Sequence, residues 1–253
     1  MNPPASFSLF GLTLYWYGAL IAVGFLLAMM YCLRRASDFG LREDDFIDVL
    51  IFAVPAAIIG ARLYYVVFNF ELFRGDFASV FRLRDGGIAM YGSIIGALAA
   101  AYTVCRVKKF SVAAVFDLGA LGLLIGQSVG RWGNFMNREA FGSETTVPWR
   151  MGLTPPGAET FWVHPTFLYE SLWNAIGFVL IHICSKRRDR EDWTVFLLYL
   201  SWYGFGRMFI EGLRSDSLYI PGTAIRISQL VAAVTFIVSA LLLLARRRRR
   251  RRQ

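Results

Sequence analysis

The chain is short of the side chains that most often carry chemistry. Its 253 residues include two histidines and three cysteines. Cys32, Cys105 and Cys184 are odd in number and lack metal-ligand spacing, and each lies near the end of an apolar block beside basic residues. That pattern argues against a disulfide framework or a cysteine nucleophile and reads as small apolar filler. No cluster of ligating side chains suggests a metal or any other cofactor. Charged residues make up only 18%, against roughly 25% in soluble domains. There is no GxxxxGK or GxGxxG phosphate loop and no repeat of 20–50 residues. The opening stretch MNPPASFSLFGLTLYWYG lacks the basic start of a signal peptide, so the first apolar block is expected to stay as a membrane helix.

Apolar residues are abundant. They make up 56% of the chain, mean hydropathy is +0.48, and they come in long blocks. A bilayer core needs roughly 20 apolar residues per helix. Blocks of that length lie at about 14–33, 46–68, 87–105, 111–130, 166–184, 193–210 and 225–245. The expectation is an all-α polytopic membrane protein. Residues 1–245 would form one transmembrane domain of about seven helices, with an extracytoplasmic loop or small cap over 131–165 and a basic tail at 246–253.

The net charge of +9 resembles a nucleic-acid signal until it is located. Alternate loops carry Arg34, Arg35 and Arg42, then Arg106, Lys108 and Lys109, then Lys186, Arg187, Arg188 and Arg190, and finally the run Arg246–Arg252. Together these are seventeen of the 27 basic residues. The positive-inside rule makes that side cytoplasmic, with the amino terminus outside and the carboxyl terminus inside. The arginine run is then an anchor for anionic lipid and not a nucleic-acid site.

The other ten basic residues are all arginines, and topology does not explain them. They are Arg62, Arg74, Arg82, Arg84, Arg131, Arg138, Arg150, Arg207, Arg214 and Arg226. Several abut or enter an apolar block, where an arginine costs about 2.5–3.5 kcal/mol on insertion scales. Placed by span, Tyr17, Arg62, Tyr91, Arg131, His164, Tyr169, Glu170, Tyr203, Arg207, Glu211 and Arg214 all fall near the outer end of their helices. Tyr203, Arg207, Glu211 and Arg214 are spaced 4, 4 and 3, so they share a helical face on which Glu211 reaches both arginines. Gly92-x-x-x-Gly96 suits close helix packing. In GRWGNFMNREAFG, Gly130–Gly142, the residues Arg131, Asn134 and Arg138 would share a face. The three glycines Gly130, Gly133 and Gly142 nevertheless argue against a long continuous helix. Paired arginines suit a phosphate through bidentate hydrogen bonds, and at this depth the phosphate is that of a phospholipid. The residues alone thus give an outward-facing lipid headgroup site and no reaction. A lipid-binding scaffold and a small-solute transporter both fit that description.

GRWGNFMNREAFG also resembles the signature of the prolipoprotein diacylglyceryl transferases, G-R-x-G-N-F-x-N-x-E-x-x-G. Gly130, Arg131, Gly133, Asn134, Phe135, Asn137, Glu139 and Gly142 fill its fixed positions. Further blocks resemble the family in order: Trp16-Tyr17-Gly18, Gly60-Ala61-Arg62, His164 to Glu170, and Tyr203-Gly204 through Arg207 and Glu211 to Arg214. The resemblance spans nearly the whole chain except the arginine tail. It implies a protein of the bacterial plasma membrane that moves the diacylglyceryl group of phosphatidylglycerol onto the lipobox cysteine of a prolipoprotein, forming a thioether and releasing glycerol phosphate; a monomer is expected. By motif match Arg131 and Arg207 are the family's essential arginines. Tyr17, Asn134, Glu139, Gly142, Tyr203, Glu211 and Arg214 occupy other functional positions, with Arg62, Asn137 and His164 in the matching blocks. Some members carry a histidine, assigned as base, where this chain has Tyr91.

Overall fold

The computed structural model describes residues 4–9, 12–83, 86–155, 157–187 and 190–250. Arg84, Pro156, Arg188, Arg251 and Arg252, which entered the charge and loop readings, lie outside the described residues. A short antiparallel hairpin, β1 (Ser6–Leu9) and β2 (Leu12–Tyr15), leads directly into α1 (Trp16–Arg35). Six more helices follow: α2 (Glu43–Phe68), α3 (Met90–Lys108), α4 (Val112–Asn137), α5 (Thr166–Ser185), α6 (Thr194–Leu213) and α7 (Ile227–Arg250). All but α6 are long and apolar enough to cross a membrane; Arg207 and Glu211 dilute the apolar run of α6.

The helices dominate as expected, and a second hairpin, β3 (Met151–Leu153) with β4 (Phe161–Val163), orders part of the long polar loop. Two helix ends differ from the expected spans. α4 continues through Gly130 and Gly133 to Asn137, taking Arg131 and Asn134 with it. The first arginines of the carboxyl-terminal run prolong α7 to Arg250.

The chain divides into two compact units, residues 33–116 and residues 1–32 with 117–253. In the first, α2 and α3 cross at glycines. A Cβ on Gly92 would come within 2.2 Å of the Gly60 carbonyl oxygen, and one on Gly96 within 2.2 Å of that of Ala56. This is the close packing that Gly92-x-x-x-Gly96 implied.

In the second unit, α4 supplies a buried seam of Leu118, Leu121 and Leu124. Its Asp117 accepts a hydrogen bond from the Phe196 amide at 2.8 Å, capping the start of α6 from a neighbouring helix. Lipid offers no water to satisfy polar groups, so interhelical hydrogen bonds set register. Ser128 on α4 and Ser171 on α5 each donate to the other's carbonyl, at 2.9 and 2.8 Å. Trp173 on α5 and Trp202 on α6 do the same with their indole N–H groups, at 3.0 and 2.9 Å, and their rings stack at 4.3 Å. Each indole lies on the other helix's glycine, four residues past its own tryptophan. A Cβ on Gly206 would sit 2.1 Å from Trp173, and one on Gly177 2.3 Å from Trp202.

These paired locks bring Glu170, beside Ser171, against Arg131 on α4 and Arg207 on α6. Gly206→Ala should therefore unseat the tryptophan pair and lower stability by about 1–3 kcal/mol. Thermal unfolding in detergent would measure it, and a wild-type melting curve would contradict the lock.

Candidate functional site

Glu170 lies in the second turn of α5 and is only 4% exposed. One oxygen of its carboxylate is 2.5 Å from Arg131. The other accepts from Arg207 at 2.5 Å and lies 3.7 Å from Arg214. Arg207 also bonds Glu211, one turn along α6, at 2.5 Å. Three guanidinium groups thus meet two buried carboxylates, and Arg214 has the half-exposed Asp216 as well. Glu211 was expected to reach both Arg207 and Arg214. In the structure the shared carboxylate is Glu170, and Arg214 instead makes a two-pronged contact with Asp216 at 2.9 and 2.6 Å. That hydrogen bond from Arg214 holds the half-exposed Asp216 carboxyl below its ordinary range.

A guanidinium has five N–H donors. Arg131 donates to Asn134 at 3.3 Å and is ion-paired with Glu170. Arg207 donates to Glu170 and is ion-paired with Glu211. Both keep donors for an anion.

The end of α4 shapes the rest of the signature. Glu139 N–H bonds the Asn134 carbonyl at 3.0 Å and Arg138 N–H bonds that of Phe135 at 3.2 Å, the two bonds of a Schellman termination. The left-handed position, usually glycine, is held by Arg138 at φ 55°. Arg138 therefore leaves the helical face expected for it. The reversal brings Glu139 back over the last turn, where it accepts from Asn134 at 3.0 Å and Asn137 at 3.4 Å. Gly142 then crosses between two elements. Its N–H bonds the His164 carbonyl at 2.9 Å, it bridges Arg214, and a Cβ there would lie 2.6 Å from that of His164. Gly133 leaves room for the ring of Tyr17, which a Cβ would meet at 2.8 Å. His164 contacts the Tyr169 hydroxyl at 3.2 Å through Nδ1. Tyr203 stacks on Tyr199, their ring centroids 5.9 Å apart.

Arg131, Asn134, Asn137, Glu139, Gly142, Tyr17, His164, Tyr203, Arg207, Glu211 and Arg214 therefore all belong to one unit. Arg62 and Tyr91 belong to the other. Arg62, expected as a phosphate ligand, donates to five backbone carbonyls, those of Ser79, Val80, Arg82, Gly86 and Gly87, at 2.6–3.3 Å. All its donors are occupied, so its task there is to tie down the loop before α3. Tyr91, in the first turn of α3, packs near the Tyr64 ring at 6.5 Å and is partly exposed.

Glu170, the centre of the cluster, was placed from the sequence at the outer end of its helix but given no role in the site. The signal was present, since it is the sole acid of α5.

Comparison with known proteins places the chain in a family. The profile described as prolipoprotein diacylglyceryl transferase matches residues 4–245. A protein of Finegoldia magna is 39% identical over 236 residues, covering 93% of this chain and 92% of its own length. One of Enterococcus faecalis is 42% identical over 243 residues, covering 92% and 86%. One of Limosilactobacillus reuteri is 43% identical over 241 residues, covering 90% and 85%. All three are named phosphatidylglycerol–prolipoprotein diacylglyceryl transferase.

Proposed function

The chain belongs to the prolipoprotein diacylglyceryl transferase family, and from that premise we propose that it transfers the diacylglyceryl group of phosphatidylglycerol to the lipobox cysteine of prolipoproteins at the outer face of a bacterial plasma membrane. The observation that carries this reading is the convergence of the two signature-block arginines, Arg131 and Arg207, on the buried carboxylate of Glu170, with N–H donors left over.

The lipid phosphate diester bears one negative charge, which the remaining N–H donors of Arg131 and Arg207 can receive. The cysteine sulfur attacks the glyceryl carbon that carries the phosphate ester. A carbon–sulfur bond forms, the carbon–oxygen bond breaks, and its electron pair leaves with glycerol phosphate. Negative charge grows on the departing phosphate as the bond stretches. Arg131 and Arg207 therefore bind the transition state more strongly than the ground state, which is what accelerates a reaction. Asn134, Asn137 and Glu139 hold the end of α4 around Arg131. Glu211 and Arg214 hold Arg207 and the chain beyond α6. Tyr17 and Gly142 close the walls.

A free thiol has a pKa near 8.5, so a base is needed near neutrality. Tyr91 and His164 are the candidates in this chain, and pH–rate profiles of Tyr91→Phe and His164→Gln separate them. The base is the residue whose removal deletes the alkaline-rising limb, and an unchanged profile in both variants excludes both.

The purified protein, incubated with phosphatidylglycerol and a lipobox peptide, should add one diacylglyceryl mass to the peptide cysteine. Lipid binding without that mass, or solute flux without it, would instead favour the scaffold or the transporter.

A further inference from the structure

Asn174 follows Glu170 by four residues on α5, so the two side chains lie on one face. It is 1% exposed, and among the described residues its Oδ1 has no hydrogen-bond partner. In folded proteins roughly nine in ten buried polar groups are paired. The amide lines a small cavity, the size of a single oxygen, whose other walls are Glu170, Trp173, Tyr203, Arg207 and Ile210. The indole N–H of Trp173 is committed to Trp202 and Ile210 is apolar, so the polar groups at the cavity are the Asn174 amide, Tyr203, Arg207 and the Glu170 carboxylate, whose Oε2 likewise has no hydrogen-bond partner among the described residues.

The geometry points to a notch for one O–H donor, with Asn174 Oδ1 accepting from a hydroxyl of the lipid headgroup, and so to Asn174 as a residue that determines headgroup specificity. This rests on the transferase reading. Arg207 is common to the phosphate cluster and the notch, so a phosphate held on Arg207 places its esterified alcohol at the notch. A glycerol headgroup carries hydroxyls a few bonds from phosphorus. A quaternary ammonium headgroup has no donor and is too large. An ordered water offers the same O–H chemistry, and the test must tell it from the lipid hydroxyl.

Transfer to a lipobox peptide is compared for phosphatidylglycerol and for two analogues, each lacking one headgroup hydroxyl. The wild-type protein should discriminate against one analogue by about tenfold in kcat/KM, the worth of one lost hydrogen bond. Asn174→Leu should slow phosphatidylglycerol to the analogue's rate, leave the analogue within about twofold of its wild-type rate, and so erase the discrimination. Should the leucine variant not insert, Asn174→Ser, whose shorter side chain stops before the notch, carries the same expectation. Equal use of all three lipids by the wild-type protein would mean that the notch holds only water, and would overturn the proposal. Equal slowing of all three lipids by the variant would also overturn it, by making Asn174 a packing residue. If the wild-type protein transfers from none of the lipids, the transferase reading fails instead. Retention of the same lipids in native mass spectrometry then reads the notch by itself.

Discussion

Alanine at Arg131 or at Arg207 is expected to lower thioether formation by ~10²–10³ or more while the protein still inserts and folds. Each arginine is one of a small set of donors aimed at a phosphate on which charge accumulates, and its loss falls on the transition state more than on lipid binding. The deficit should therefore appear in kcat, with the apparent KM for phosphatidylglycerol changing less. Folding survives because Glu170 keeps a second arginine when either is removed. Lysine at either position keeps the charge but loses the planar fork and should fall between alanine and wild type. The two alanine effects should not add, because both side chains hold the same carboxylate. Mass spectrometry of the peptide product gives the rates, and size-exclusion behaviour in detergent reports the fold. Near-normal thioether formation by either variant would remove the phosphate role.

Much of this site was legible in the sequence, and the parts that were not have physical reasons. Each of the seven apolar blocks became a helix, and six of those helices are long and apolar enough to cross a membrane. The ends shifted by a few residues because hydropathy does not mark a cap. α4 was expected to end near Gly130, but within a packed bundle a glycine can mark a close approach as well as a break. Gly133 stays helical with Tyr17 seated on it. The face shared by Arg207 and Glu211 followed from spacing alone, because a four-residue step fixes neighbours on one helix. The meeting of Arg131, Arg207 and Arg214 at Glu170 did not, because it depends on registers set by Ser128 with Ser171 and by Trp173 with Trp202, each pair distant in sequence. Arg62 shows the reverse error. A buried arginine looks the same in sequence whether it awaits an anion or closes on backbone carbonyls, and only the path of residues 79–87 decides.

Glu170 raises the question of why an anion site should contain buried carboxylates at all. Three guanidiniums without them would bind a phosphate diester strongly, and would bind the departing glycerol phosphate more strongly still, because a phosphate monoester carries up to two charges near neutrality. Glu170 and Glu211, with Asp216 on Arg214, offset that charge. The cluster then answers the diester and releases the product, while Glu170 holds Arg131 and Arg207 in fixed orientation. Two results should follow.

Glu170→Ala strips a buried hub from three arginines and should cost about 3–5 kcal/mol of stability, as breaking a buried ion pair from one side does. Glu170→Gln keeps the shape and removes the charge. It should fold better than the alanine variant and lose roughly 10-fold or more in kcat as its guanidiniums loosen. It should not raise KM for the lipid, and glycerol phosphate should inhibit it more strongly than wild type. A Glu170→Gln enzyme with wild-type kcat and unchanged product inhibition would show that the carboxylate neither orients the arginines nor tempers their charge. Strong product inhibition with kcat intact would keep the second role and discard the first.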